Sequence, residues 1–349
     1  MKYFSYIFLL FFTVSAFSQE NVEQVENIRK ERIAVKHYNK AIEAVNRMDY
    51  YSALDLLDST LFYKVDFVKA NVEKGKVFYT KERYRDAALE FERAVDMDPN
   101  YGEPVFLLAY TRYTLDTSSV SSEDFSKAIE KGFQQPEAYY YKGLMEMLEG
   151  ENEKALASFN KAVELKSDYS KAYHDRGTVK NRLGDVQGAI YDYRMSVTYN
   201  KAFAQGYVNM GNVKKIIGDY QGAEMDYTEA IKIDTSSYLA YNNRGGARYI
   251  LGAFDSARVD FDKAYELNPE SIEVLNNLGT SKMQETLYDD AIEYFNQVLE
   301  INDSNTVAIV NRGLVYELQG KLDEACKDWT VASELGSEDA VVYLKECKE

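Results

Sequence analysis

Only two histidines, two cysteines, one tryptophan and four prolines occur among the 349 residues, and each scarcity removes a class of explanation. The two histidines and two cysteines, at 37, 174, 326 and 347, show none of the ligand spacing of a structural zinc site. HExxH, Gly-x-Ser-x-Gly, a Walker loop and GxGxxG are all missing, so the residue sets for metal-dependent hydrolysis, nucleophilic catalysis and nucleotide binding are absent. Carboxylates are too abundant for any one pair to identify a general acid and base. With so few prolines and no Ser/Gly-rich stretch, nothing punctuates the chain into linked domains. Positive charge is in deficit: 41 Lys and Arg face 57 Asp and Glu, a net charge of −16. A nucleic-acid groove needs clustered cations to displace counterions, so that partner class is not expected. These absences predict a non-enzyme with no cofactor and no metal.

Long apolar runs are also lacking beyond the first residues. Lys2 precedes the apolar stretch Tyr3 to Phe17, and Ala16-Phe17-Ser18 offers a small-x-small cleavage site before Gln19. That is the pattern of a secretory signal over residues 1–18. It is shorter than the ~20 apolar residues of a membrane span, so export to a periplasm or the exterior is expected, with no integral span once the signal is removed. No cysteine follows the run, which argues against a lipidated amino terminus.

What is present is a period. Steps of 34 connect Gly143, Gly177, Gly211, Gly245, Gly279 and Gly313, although glycine supplies only 19 residues. Twelve residues after each glycine stand Ala155, Ala189, Ala223, Ala257, Ala291 and Ala325, and four further on Phe159, Tyr193, Tyr227, Phe261, Phe295 and Trp329. A mostly small residue follows three beyond, as in Ala162, Ser196, Ala230 and Ala264. Earlier in the chain Gly75, Ala87, Phe91, Ala94 and Pro99 occupy the same slots. Small residues at fixed spacing let two helices approach closely, and the aromatic fills the wedge where they open.

These slots resemble the tetratricopeptide repeat (TPR), a 34-residue helix-turn-helix unit. The resemblance implies an all-α fold, a right-handed superhelical solenoid of nine units at 34–67, 68–101, 102–135, 136–169, 170–203, 204–237, 238–271, 272–305 and 306–339. Residues 19–33 are expected as an N-terminal helical extension that caps the first unit, and 340–349 as a C-terminal capping helix, since the outermost repeats of a solenoid expose an apolar face. The unit starting at Gly102 departs from register. Ser121 with Asp124 three residues on predicts a capping box and a late, short second helix that Gly132 ends. Cys326, on the last second helix, and Cys347, on the cap, are close enough in this arrangement for a disulfide; two reduced thiols are the alternative.

In the TPR family the first helix of each unit lines a concave groove through its second, fifth, sixth, ninth, twelfth and thirteenth positions. Here the sixth carries Asn209, Asn243, Asn277 and Asn311, flanked by Asn212, Asn242 and Asn276. The row resembles the asparagine ladder with which the TPR superhelix of O-linked N-acetylglucosamine transferase holds an extended peptide. An amide side chain offers a donor and an acceptor together, matching a peptide unit whatever its side chain; packing within the repeats is the competing account of these asparagines. Lys171, Arg182 and Lys215 add positive charge to the same face, while Tyr79, Phe106, Tyr110, Tyr113 and Tyr140 predict an aromatic wall nearer the amino terminus. His37 occupies a slot that holds tyrosine elsewhere and reads as packing, and His174 stands beside Asp175 facing the groove.

The expectation is therefore a scaffold that binds a protein or peptide segment in its groove. Two other readings stay open: a structural part of a cell-envelope or secretion complex that assembles through the convex face or the ends, and a saccharide-binding module, with which the aromatic wall is compatible.

Overall fold

The computed structural model describes residues 2–345 and 347, with side chains from Val22 onward. The chain divides into two units, Met1–Ser167 and Asp168–Glu349, each a stack of antiparallel helix pairs. No strand occurs among the described residues.

In the first unit the pairs are α1 (Lys2–Asn46) with α2 (Tyr50–Tyr63), α3 (Val68–Thr80) with α4 (Tyr84–Met97), α5 (Gly102–Leu115) with α6 (Ser122–Glu130), and α7 (Pro136–Leu148) with α8 (Asn152–Leu165). The second unit pairs α9 (Ser170–Arg182) with α10 (Val186–Tyr199), α11 (Ala204–Ile216) with α12 (Tyr220–Ile233), and α13 (Tyr238–Ile250) with α14 (Phe254–Leu267). It continues with α15 (Ile272–Gln284) and α16 (Tyr288–Ile301), α17 (Thr306–Leu318) and α18 (Leu322–Glu334), and ends in the short α19 (Glu338–Tyr343).

Each pair closes where the sequence is small. The alanines at the twentieth position, from Ala53 to Ala325, are fully buried, and the aromatic four residues on fills the core of its pair: Phe91, Phe125, Phe159, Tyr227, Phe295 and Trp329 are inaccessible to solvent. The glycine of the facing helix makes room for that ring. A Cβ added at Gly245 would stand 2.7 Å from a ring carbon of Phe261, and one at Gly279 2.6 Å from Phe295. The turns between paired helices use left-handed backbone, which glycine adopts without a Cβ penalty. Gly150, Gly184, Gly218, Gly252 and Gly320 take it at the fifteenth position, and Met48, Glu82 and Thr286 take it at the same position without glycine's freedom.

The irregular unit follows its sequence. A 3-10 turn over Thr117–Ser119 precedes α6, whose Ser121 and Asp124 form a reciprocal capping box, and Gly132 turns the chain at φ +90°. Where the capping residue is Asp, Ser or Asn, as at Asp185, Asp219, Ser237, Ser271 and Asn305, its side chain accepts from the backbone N–H three residues on; such a cap contributes about 1 kcal/mol.

The two ends differ. Residues 22–32 continue α1 as helix but are exposed throughout, held to α2 by the Lys64–Glu31 ion pair. Val22, Val25 and Ile28 of this segment are exposed. The leader assigned to residues 1–18 falls where only the helical backbone from Lys2 is described; Met1 and the side chains through Asn21 lie outside the described residues. Among the described residues no helix is long and apolar enough to cross a membrane. At the other end Ala340 is fully buried, Tyr343 stacks on Trp329 with ring centroids 5.2 Å apart, and Cys326 and Cys347 are joined in a disulfide. Of the expected cap, α19 covers Glu338–Tyr343, and Glu346, Lys348 and Glu349 lie outside the described residues.

Candidate functional site

The second unit carries an open concavity of about 670 Å³ lined by Lys215, Asn242, Asn243, Gly246, Ile250, Ile272, Glu273, Asn276, Asn277 and Val307, among others. These lining residues come mainly from the first helices α11, α13, α15 and α17, from positions two, five, six, nine, twelve and thirteen of their repeats, with Ile272 at position one.

The asparagines of this surface are ordered by one another. Asn277 Nδ2 donates to Asn242 Oδ1 at 2.8 Å, so the sixth position of one repeat is fastened to the fifth of the repeat before it. Asn243 Nδ2 donates at 3.2 Å to Asn212 Oδ1, which also accepts from the Tyr227 hydroxyl at 2.8 Å. At the front of the row Asn209 Nδ2 lies 2.9 Å from His174 Nε2, thirty-five residues earlier, the same separation as in the Asn242–Asn277 pair. A primary amide only donates through its nitrogen, so Nε2 accepts and the His174 proton sits on Nδ1, 2.8 Å from Asp175 Oδ1. Each bond uses one amide hydrogen. Asn243 and Asn277 therefore keep a second N–H and a carbonyl oxygen for another molecule. Asn276 holds the place that would receive Asn311, and its Oδ1 is buried with no partner among the described residues.

Charge is sparse here. Lys215 makes no ion pair among the described residues, and Glu273 accepts from the Ser271 hydroxyl at 3.0 Å. Lys171 and Arg182 are exposed on α9 but do not line the concavity, so of the three expected cations only Lys215 belongs to it. Asn242 is 7% exposed with its oxygen already accepting, which makes it a support rather than a contact.

In the first unit the aromatic positions form a chain of touching rings. Tyr79 stacks on Tyr110 at 5.4 Å, and Tyr110 and Tyr113 meet Tyr141 at 4.8 and 5.4 Å. Phe106 and Tyr140, expected on an open wall, are 6% and 7% exposed. They are core residues, Phe106 against Phe125 and Phe133 and Tyr140 against Phe159. Burial pushes the Tyr79 phenol up to about 12, so its hydroxyl keeps its proton at neutral pH.

A family model described as tetratricopeptide repeat matches residues 38–102 and 106–170, and a second of the same description matches 204–237 and 272–305. The chain belongs to the tetratricopeptide repeat family. Solved TPR structures share the fold. Pseudomonas aeruginosa PilF is 20% identical with a TM-score of 0.54, covering 60% of this chain and 97% of its own. The C-terminal part of a TPR repeat-containing protein from Cytophaga hutchinsonii is 15% identical with a TM-score of 0.54, covering 69% and 98%. The Cut9–Hcn1 hetero-tetramer of the APC/C is 13% identical with a TM-score of 0.55, covering 90% of this chain and 76% of that one. No curated protein matches the sequence at a significant level. TPR arrays are typically non-catalytic scaffolding, and the repeats of this chain support a protein-interaction scaffold.

Several functional features of this TPR chain were not singled out in sequence. A basic residue at the seventh position pairs with an acid at the twenty-third of the same repeat: Arg176–Asp192, Arg244–Asp260 and Arg312–Asp328 at 2.6 to 2.8 Å, and Lys74–Glu90 at 3.2 Å. The constant spacing of sixteen was the available signal. His174 as the acceptor for Asn209 was likewise visible as a fifth-position residue one repeat ahead of a sixth-position asparagine. His37 is packed, its ring 5.8 Å from that of Tyr63.

Proposed function

We propose that the second unit binds an extended peptide or protein segment in its asparagine-lined concavity, reading main chain rather than side-chain identity. The observation that carries this reading is the amide lattice: Asn243 and Asn277 are anchored through one N–H each and face the concavity with one donor and one acceptor uncommitted. A peptide unit supplies the complementary pair. Pre-anchored side chains lose little rotamer freedom on binding, which lowers the entropic cost of association. Lys215 favours a segment carrying a carboxylate, and the net charge of −16 disfavours nucleic acid.

The same proposal places the protein outside the cytoplasm. Support comes from the Lys2-led apolar run closing at Ala16-Phe17-Ser18 and from the Cys326–Cys347 disulfide, a bond that persists in oxidising compartments.

The test is selection of peptides from a random 12-residue library on the purified protein and on the Asn243→Ala, Asn277→Ala double variant, with circular dichroism showing both folded. Losing two paired contacts of ~0.5–1.5 kcal/mol each weakens a selected peptide about tenfold or more. Peptides that bind both proteins equally would move the site to the convex face or the ends, as in an envelope assembly component.

A further inference from the structure

Of the hydrogen-bonded sixth-position asparagines, Asn209 alone is oriented by a titratable group. Asn277 is held by Asn242 and Asn243 by Asn212, both amides that keep their donor–acceptor character at any ordinary pH. Asn209 is held by His174, in a chain that runs from Asp175 Oδ1 through the imidazole to the Asn209 amide and ends at Gln205, whose Nε2 donates to Asn209 Oδ1 at 2.9 Å. The chain has one direction. Nδ1–H of the ring points at the carboxylate, and Nε2 offers its lone pair to Asn209.

We propose that His174 is the positioning residue of this rung and that its protonation inverts the Asn209 amide, exchanging the donor and acceptor presented to a bound main chain. An imidazolium carries hydrogens on both nitrogens, so an Nε2–H would meet an Asn209 N–H head-on. Rotation of the Asn209 amide by half a turn restores the bond with Oδ1 as acceptor, and Gln205 follows by turning its own oxygen toward Nδ2. No backbone movement is needed. The proposal rests on the groove reading above and adds that the groove is sensitive to protonation of this one ring.

The surroundings of the ring bear on the direction. On its own helix α9, Asp175 contacts Nδ1 at 2.8 Å. From α10, Tyr193 lies 5.5 Å away, its hydroxyl engaged with Thr178 at 3.0 Å and burial pushing its phenol up, which leaves it neutral. Asp175, Arg182 and Asp192 all act on Tyr193 and so mark the charges around this site; Asp192 is already neutralised by Arg176 and Lys180. Phe203, just before α11, meets the ring edge at 4.8 Å, and α11 itself offers only the neutral Asn209 and Gln205. Among the described residues, the one carboxylate hydrogen-bonded to the ring faces Nδ1, and the partner that must change on protonation is Asn209.

The experiment uses the full chain labelled with ¹⁵N-histidine and ¹⁵N-asparagine, titrated from pH 8 to pH 5, with His37→Gln and Asn209→Ala variants assigning the signals. The expected result is a His174 ring protonated on Nδ1 at pH 8, and Asn209 amide resonances that shift with the midpoint of the ring. In His174→Asn, which supplies the non-titrating acceptor found at Asn242, the Asn209 shift disappears. An Nε2–H ring at pH 8, or an Asn209 amide that ignores ring protonation, overturns the proposal. A peptide taken from the library selection is expected to change affinity about tenfold between pH 8 and pH 5.5 in the parent and less than twofold in His174→Asn; equal pH dependence in both overturns the link to binding. Failure of the groove reading shows elsewhere, as indifference to the Asn243→Ala, Asn277→Ala change, and leaves the resonance titration able to decide the rest.

Discussion

Arg244 grips Asp260 through two parallel hydrogen bonds, Nε to Oδ2 at 2.9 Å and a terminal nitrogen to Oδ1 at 2.7 Å, and Arg248 adds a third at 2.9 Å. The Asp260 side chain is 2% exposed. Two cations converge on one buried carboxylate, so its removal leaves Arg244 without an acid, while Arg248 keeps only its ion pair with Glu224. Asp260→Ala is expected to cost about 3–5 kcal/mol, read as a fall in the urea midpoint by circular dichroism. Asp255→Ala, at the exposed start of the same helix, should stay within about 0.5 kcal/mol. Comparable losses at the two positions would show that the pair contributes nothing particular.

That pairing marks where the sequence was readable and where it was not. The small and aromatic slots announce themselves because close helix approach leaves few alternatives: only glycine escapes the ring of Phe261 at position 245. Polar partners are different, since any of 57 acids is a nominal match for any base until the helices are placed. The asparagine row was visible as a row, but its internal bonds were not, because Asn243 turns to Asn212 whereas Asn277 turns to Asn242. The difference traces to Val208, which replaces a polar fifth-position residue and leaves Asn243 to find its acceptor at the ninth. Phe106 and Tyr140 were misplaced for a related reason. Aromatic side chains at groove positions reach back into the core when a neighbouring ring offers a surface, as Phe125 and Phe159 do.

Thr286 holds the left-handed turn between α15 and α16 at φ +62°, where most repeats have glycine. A β-branched residue there is strained by about 1–3 kcal/mol, while glycine would add back ~0.4–1 kcal/mol of unfolded-state entropy. The balance predicts that Thr286→Gly stabilises by about 1 kcal/mol, seen as a higher melting temperature. A destabilised variant would mean that the threonine side chain has a compensating contact.

The Cys326–Cys347 bridge closes a separation of 21 residues, worth about 3 kcal/mol in the loop-entropy account. Each repeat contacts only its neighbours, so the effect should be local. Reduction, or Cys347→Ser, is expected to raise hydrogen exchange in α18 and α19 and expose Trp329, whose ring is stacked on Tyr343, while amides of α9 to α14 keep their protection. Uniform loss of protection would contradict a local cap.

Gly245 and Gly246 are adjacent yet face opposite demands. A Cβ on Gly245 meets the Phe261 ring at 2.7 Å, whereas a Cβ on Gly246 meets nothing within 4 Å and points into the space bounded by Asn243 and Asn277. Gly245→Ala should therefore destabilise by about 1–3 kcal/mol through overpacking, and Gly246→Ala should stabilise by about 0.5–1 kcal/mol because alanine favours a helix interior. The contrast makes Gly246→Trp a probe of the concavity: the indole occupies the groove without entering the core. Thermal melts should show a folded protein, and fluorescence anisotropy should show that a peptide selected on the parent no longer binds. A folded Gly246→Trp variant that binds the peptide undiminished would place the interaction on another face, since no main chain could lie against Asn243 and Asn277 with an indole between them.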